Sequence, residues 1–423
     1  MPPASRNPER PAHGGLQGDR QVDAWGTSRR SRLFPGAWLV HADLHNHTRL
    51  SDGAGDPGCA FASMRAAGLD VAAITDHSRW ASAFLGLIGA PGWTGIDRRA
   101  WRTTAALADA ANADGEFVAL RGFEWSHALF GHMSVWASQH FTDPLRTAPT
   151  MGRFWRWLEA DGRDGIAGFN HPGTGRLRFG RFGYRPDLAA RLVSLEIFNK
   201  TDEYLLYGTD RGEQSPLNEC LNAGWRAGLL GVTDEHGADW GCPEGKGRAG
   251  LYVRELSRAG VAEALSARRF FASRVKGLRL DAALTSLAGG QGGGARAAGG
   301  RARPARMGTP VAHRAGPALL QVDLDRGRAW WGRRLNLQVL RPGARLPTIA
   351  AAVEVCLPAP DEPLLAVEVD LDAAEGDWVV LRVSDPAEPA DPRAVGEYAR
   401  LGRGIAYASP FWLVPPATTE GRP

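Results

Sequence analysis

Short apolar runs, most of them rich in β-branched residues, recur along the first half of the chain with amphipathic stretches between them. Trp38–Asp43, Val71–Thr75, Phe117–Arg121, Ile166–Phe169, Val193–Phe198 and Leu229–Thr233 have strand length, and Met133–Ala137 adds a weaker seventh. Cys59–Ala67, Arg98–Asn112, Met151–Glu159 and Leu217–Ala223 carry apolar residues at helical spacing instead. Strands alternating with helices predict a parallel α/β sheet or barrel. Past Ala259 the pattern changes: Val261–Ser266 reads as one more helix, and Arg269–Leu284 opens a series of strands. Ala318–Leu324, Arg334–Leu340, Ala351–Leu357, Leu364–Leu371, Trp378–Ser384 and Ile405–Val414 then follow between Gly, Pro and Asp turns. That run predicts an all-β, sandwich-like C-terminal domain.

The boundaries follow from composition. Residues 1–36 hold Arg, Pro, Gly and Gln with few apolar positions, and read as a disordered N-terminal tail. Residues 37–268 form the α/β unit, 269–415 the β-rich unit, and 416–423 a short tail. Leu287–Arg306 is Gly, Ala and Arg with almost no large apolar residue, which predicts a flexible loop inside the second unit. No cluster of His or carboxylates marks that second unit, so its expected role is packing, a lid or an oligomer contact.

A chain of 423 residues that is 43% hydrophobic can bury a large core and divide into two domains. No stretch approaches the roughly 18 apolar residues that span a bilayer, and the N-terminus lacks the apolar segment of a signal peptide. Cys59, Cys220, Cys242 and Cys356 form no CxxC pair, which argues against a disulfide scaffold or zinc knuckle and for a reducing cytoplasm. The net charge of +4 is misleading, because residues 1–36 carry +3 and residues 286–316 carry +5, leaving the remainder at −4. Solvated basic segments on a mildly acidic body do not make a nucleic-acid surface; a small nucleotide as substrate stays open. Lysine is confined to Lys200, Lys246 and Lys276.

The chemistry lies in the residues that follow the strand-like runs. Asp43-Leu44-His45-Asn46-His47-Thr48 is succeeded by Ser51-Asp52-Gly53, Thr75-Asp76-His77, Gly122-Phe123-Glu124-Trp125, Gly131-His132, Asn170-His171-Pro172-Gly173 and Thr233-Asp234-Glu235-His236. Strand ends converging on one mouth gather side chains that lie far apart in sequence. His45 and His47, two apart on an extended segment, point their rings to one face, and so do Asp234 and His236. Each motif alone has a bland reading: Asp52 as a turn former, Asp76 as a helix cap, His77 as a surface residue. Their recurrence at successive strand ends favours ligands. Carboxylates mixed with imidazoles suit Zn²⁺, Mn²⁺ or Fe²⁺ and argue against a thiolate site. Nine candidates (His45, His47, Asp52, His77, Glu124, His132, His171, Asp234 and His236) exceed the needs of one tetrahedral ion, so two or three divalent ions are implied.

This ordered series resembles the polymerase and histidinol phosphatase (PHP) superfamily of metallohydrolases. Glu-Trp-Ser before Gly-His-Met-Ser-Val, and Leu-Glu-Ile-Phe-Asn, resemble its carbaryl-hydrolase-type branch. Arg268-Arg-Phe-Phe-Ala-Ser, Met307-Gly and Ala408-Ser-Pro-Phe-Trp look like that branch's β-rich C-terminal part. The resemblance implies a distorted (β/α)₇ barrel with a trinuclear centre at its C-terminal mouth. His45, His47, Glu124 and Asp234 would hold one ion, Glu124 would bridge to a second held by His132 and His171, and Asp52, His77 and His236 would hold the third. His127 competes with His132, which is preferred because Gly131 precedes it and a strand-like run follows.

Such a centre implies hydrolysis by a metal-bridging hydroxide, without a covalent Ser or Cys intermediate. Glu124, Asp76 and Asp234 are the catalytic candidates, Asp76 as the acceptor that orients a ligand imidazole. Arg79, Glu196, Asn199 and Lys200 are candidates for substrate contact. The leading expectation is a phosphoesterase on a small phosphate mono- or diester. Carbamate or carboxylic ester hydrolysis is the alternative, with Trp80, Trp125 and Trp240 offering an apolar pocket. A metal-binding interaction module with an inactive site is the non-enzymatic reading.

Overall fold

The computed structural model describes residues 21–78, 95–144, 150–173, 177–241, 244–287 and 303–416. Its first half is built on strands β1 (Trp38–Asp43), β2 (Val71–Ile74), β3 (Val118–His127), β4 (Gly131–Trp136), β5 (Ile166–Phe169), β6 (Leu192–Asn199), β7 (Asp202–Glu203), β8 (Gly228–Val232) and β9 (Arg248–Val253). β1, β2 and β3 pair in parallel, as do β5, β6 and β8. β4 turns back from β3 and pairs antiparallel with both β3 and β5. β9 runs antiparallel to β1. The C-terminal ends of β1, β2, β3, β5, β6 and β8 therefore share one pole with the N-terminal end of β4. Uniform β/α alternation is broken at β4, where a hairpin replaces the crossover helix.

The helices cover the outside of this arc. Asp56 caps the helix Pro57–Ala66 through Gly58 N, with Pro57 preset for the first turn, and Pro57, Ala60, Phe61 and Met64 face inward. Asp97 caps Arg98–Ala111, which buries Trp101, Thr104 and Ala108. Met151–Glu159 buries Met151, Phe154, Trp155 and Leu158, an i, i+3, i+4, i+7 stripe. Between the sheet and these faces lies a dense aromatic core that includes Phe123, Trp125, Phe154, Phe169 and Trp225.

The second half comprises β10 (Phe270–Ser273), β11 (Arg279–Ser286), β12 (Ala305–Arg306), β13 (Pro310–Ala312), β14 (Ala315–Asp325), β15 (Arg334–Arg341), β16 (Thr348–Cys356), β17 (Leu365–Asp372), β18 (Trp378–Asp385), β19 (Arg403–Ala408) and β20 (Phe411–Val414). One sheet has the order β12-β11-β14-β17. Its partner contains β15, β18, β19 and β20, and the two enclose Leu280, Leu320, Val322, Leu337, Val367 and Leu381. β17 alternates Val367, Val369 and Leu371 inward with Glu368 and Asp370 outward, the period of a half-buried strand.

The boundary expected between residues 268 and 269 runs through a continuous sheet. β10 pairs with β9 on one side and with β19 on the other, so a single 16-stranded sheet joins the two halves. The N-terminal tail also needs correction from residue 21 onward. Trp25 packs on Gly277, Arg29 pairs with Asp70 at 2.6 Å, and Arg279 donates to Ser28 O at 2.9 Å. A few buried polar pairs thus hold a segment with few apolar residues. The expected loop Leu287–Arg306 ends earlier, because Ala305–Arg306 forms β12 against β11; residues 288–302 and 417–423 lie outside the described residues. No helix among the described residues is long and apolar enough to cross a membrane.

Candidate metal centre

Every strand end at the shared pole delivers a polar side chain. β1 leads into His45 and His47, β2 into Asp76 and His77, β3 carries Glu124 in its second half, and β4 carries His132 at its second position. β5 is followed by Asn170 and His171, β6 ends with Glu196 and Asn199, and β8 is followed by Asp234 and His236. The turn Ser51-Asp52-Gly53 folds Asp52 back over His47. A Cβ at Gly53 would lie 2.8 Å from the His47 carbonyl carbon, so only glycine permits this approach.

All nine expected ligands come together. Four groups bring one donor atom from each member within 4.8 Å of the others: His47, Asp52, His77 and His236; His45, Glu124 and His171; His45, His47 and Asp234; His77, Glu124 and His132. Glu124 stands at the centre, fully buried. His45 Nε2, His171 Nε2 and His132 Nδ1 lie 3.3, 3.1 and 3.2 Å from Oε1, and His77 Nδ1 lies 2.6 Å from Oε2. Asp234 Oδ1 faces His47 Nε2 at 3.2 Å and His45 Nε2 at 3.5 Å. The grouping differs from that implied by the resemblance: His171 groups with His45 and His132 with His77, so these two share no group, His47 also joins Asp52, and Glu124 shares no group with Asp234.

These residues fit divalent cations. His47 Nδ1, His132 Nδ1 and Asp234 Oδ1 are buried without a hydrogen-bond partner, which in a protein interior is costly unless another group satisfies them. The electrostatics agree. Burial pushes the Glu124 carboxyl up, but His132, His45 and His77 outweigh it and hold the group well below the usual carboxylate range. Asp234 is held down likewise, burial being overcome by His45 and His47. Burial opposes a charge on His77, yet Glu124 and Asp52 push it up to about 10; His47, dominated by burial, falls to about 3. Buried carboxylates at this density require compensating positive charge.

Outside the nine, the structure redistributes the expected roles. Asp76 accepts from Thr48 N at 2.7 Å, Thr48 Oγ1 at 2.8 Å and Ser51 Oγ at 2.6 Å. It anchors the His47–Asp52 loop and makes no hydrogen bond to a ligand imidazole; burial pushes its carboxyl up to about 6. Glu196, only 1% exposed, lies behind the ligands and does not face the mouth. Its Oε1 is 2.8 Å from His45 Nδ1, and its Oε2 accepts from His171 N at 2.6 Å and Asn199 Nδ2 at 2.9 Å. A carboxylate can only accept, so the bond places the His45 proton on Nδ1 and turns Nε2 toward the centre. Glu196 and Asn199 therefore brace His45 and His171 from behind and are closed to solvent. Lys200 does face the mouth, and Arg79 lies outside the described residues.

Sequence alone assigns no role to Asn170 and none to His127 beyond its rivalry with His132. Asn170 donates to Glu124 Oε1 at 2.7 Å and accepts from Ser134 N at 2.9 Å, fixing the central carboxylate to β4. Its position inside Asn-His-Pro-Gly was the available signal. His127 belongs to none of the donor groups: its Nδ1 accepts from Leu129 N at 3.1 Å and Phe130 N at 3.3 Å, closing the β3–β4 turn. Trp125 and Trp240 are buried, Trp125 stacked on Phe154 and Trp240 donating to His47 O, so neither lines an open ester pocket, and Trp80 lies outside the described residues.

No protein-family model matches this chain, and no curated protein matches it. Solved structures with similarity include a two-domain protein from Bacteroides vulgatus containing a predicted PHP-like metal-dependent phosphoesterase. It is 15% identical, with a TM-score of 0.42 over 92% of this chain and 100% of that one. A protein from Bifidobacterium adolescentis, described by inference as a metal-dependent phosphoesterase, is 15% identical with a TM-score of 0.28 over 53% of this chain and 95% of its own. An amidohydrolase from Chromobacterium violaceum with bound sulfate and no metal is 14% identical, with a TM-score of 0.29 over 54% and 96%. Likeness at this level is one of outline, and the case for the metal centre rests on its own residues.

Proposed function

We propose that this chain is a metal-dependent hydrolase, a phosphoesterase acting on a small phosphate mono- or diester, with a distorted (β/α)₇ barrel of the PHP type as its catalytic half. The observation that carries the reading is the sharing of Glu124 between two donor groups, within a set of nine N and O ligands at one strand-end pole. Motif order from Asp43 to His236 supports the superfamily, and the Glu-Trp-Ser and Leu-Glu-Ile-Phe-Asn segments support the carbaryl-hydrolase-type branch.

Two or three divalent ions of the Mn, Zn or Fe kind, when bound, would lower the pKa of water to near neutrality and neutralise charge on a phosphoryl oxygen. The chain itself supplies the rest. Glu124 holds the anionic centre that His45, His77, His132 and His171 surround. Glu196 fixes the direction of His45, and Asn170 that of Glu124. Asp52, whose side chain is 39% exposed, leaves the cluster open to solvent on the side where His77 and His236 approach it. A phosphoester is favoured over a carboxylic ester because the described mouth presents imidazoles, Asp52 and Lys200, while Trp125 and Trp240 are occupied in the core.

Protein purified without chelator should carry about two to three metal equivalents per chain, measured by inductively coupled plasma analysis, and hydrolyse bis(p-nitrophenyl) phosphate with added Mn²⁺. Glu124→Gln keeps the volume and removes the shared anion, so turnover should fall by about a thousandfold or more with the fold intact by circular dichroism. A folded Glu124→Gln variant with near-normal turnover would overturn the assignment.

A further inference from the structure

Lys200 stands directly after β6 in a backbone conformation that favours glycine, with φ 50°. Two hydrogen bonds hold it there: Lys200 N donates to Val232 O at 3.2 Å, and Lys200 O accepts from Gly247 N at 2.9 Å. Asp234, its neighbour across the mouth, is also left-handed, with φ 46°. Strain at a pole already crowded with ligands points to a requirement on the side chains it positions.

Those side chains meet. Lys200 Nζ lies 3.3 Å from Asp234 Oδ2, whereas Asp234 Oδ1 is turned to His45, His47 and His236 at 3.5, 3.2 and 3.4 Å. The ammonium is thus one carboxylate removed from the ligand cluster. Lysine has three N–H donors, and the side chain remains 48% exposed, so Asp234 leaves donor capacity directed to solvent at the mouth. Lys246, by contrast, is engaged by Glu235 Oε2 at 2.6 Å. Among the described residues, Lys200 is the lysine at the rim of this site whose charge is available to a ligand.

We infer that Lys200 reads the charge of the substrate: it takes a non-bridging oxygen of a phosphate ester while Asp234 holds the ammonium in place. This assignment rests on the hydrolase reading and narrows it. The substrate class becomes the phosphate monoester dianion, whose second charge a lysine point charge rewards, over a neutral ester.

The test compares Lys200→Gly, which removes the charge and relieves the backbone, with Lys200→Arg. Binding of inorganic phosphate is measured by calorimetry on metal-matched protein, alongside metal content and the kcat/KM ratio for p-nitrophenyl phosphate against p-nitrophenyl acetate. Lys200→Gly should weaken phosphate binding and lower that ratio by about tenfold or more, Lys200→Arg should restore part of both, and metal content should hold. Unchanged phosphate affinity would overturn the inference. Loss of metal in step with affinity would also overturn it, since the lysine would then serve only Asp234. If the wild-type protein hydrolyses no phosphoester, the hydrolase reading falls by itself, and the phosphate titration still decides whether Lys200 is an anion contact.

Discussion

His127 and His132 sit on the two strands of one hairpin, close to the same glutamate in sequence, yet their rings do different work. His132 Nδ1 lies 3.2 Å from Glu124 Oε1 and has no hydrogen-bond partner, the condition of a ligand atom. The two backbone amides that His127 Nδ1 accepts make it a turn closer. His132→Ala should therefore lose about one metal equivalent and more than about a hundredfold in turnover. His127→Ala should keep its metal and lose about 1 kcal/mol of stability. Metal analysis and urea unfolding of both variants side by side decide it; the reverse pattern would move the ligand to His127. The candidate ligands were legible because each is a His, Asp or Glu placed at or near a strand end. The supporting residues were not. Glu196 and Asn199 look identical in sequence to substrate-binding residues, and a register shift between Glu196 and Phe198 against β8 sets their direction. A bulge of this kind brings residues at an odd offset to one face, which alternation alone does not predict.

At the level of elements, the return of β8 to β9 depends on glycine. A Cβ at Gly231 would lie 2.4 Å from Arg248 O, inside any tolerable contact, so the two backbones pack face to face just before the chain reaches Asp234. Gly231→Ala should cost about 1–3 kcal/mol by overpacking and should weaken metal retention by displacing the Asp234 turn. Gly36→Ala is a suitable control, because nothing lies within 4 Å of its added carbon. A Gly231→Ala protein with the same urea midpoint as the control would show that β8 and β9 are not held at this distance. The same chemistry explains which strands the sequence concealed. β9 is interrupted by Gly250, whose added Cβ would strike the Phe271 ring at 2.2 Å, and a strand weakened by glycine gives little periodic signal. β1 and β5, short strands buried along nearly their whole length, match their expected bounds residue for residue.

The whole molecule behaves as one unit if its buried polar clasp is as strong as its geometry. Composition suggests two domains, and hydrophobic patterning an α/β half before a β-rich one, but a shared sheet edge and long-range ion pairs carry no sequence period. Glu203, at the end of β7 in the α/β half, pairs with Arg382 Nε and Nη2, both at 3.0 Å, and accepts from Tyr407 in the β-rich half. Arg382 Nη1 in turn donates to Gln338 at 2.8 Å. Burial pushes the Glu203 carboxyl up, but Arg382 and Arg274 outweigh it, so its pKa in the folded protein lies below its ordinary value of 4.5. A depressed carboxyl contributes stability above its unfolded pKa and loses it as pH falls through the lower, folded value. Glu203→Gln should therefore cost about 3–5 kcal/mol at pH 7, because Arg382 stays buried without its counter-charge. The cost should shrink as pH falls from 4.5 toward the lower folded value, because the unfolded chain takes up the proton first and the folded group only below that. Unfolding followed by tryptophan fluorescence and by metal release should coincide in the wild type and separate in the variant, as the α/β half lets go of its partner. Coincident transitions in both proteins, with an undiminished cost at low pH, would mean that the continuous sheet alone joins the halves and that the clasp adds nothing.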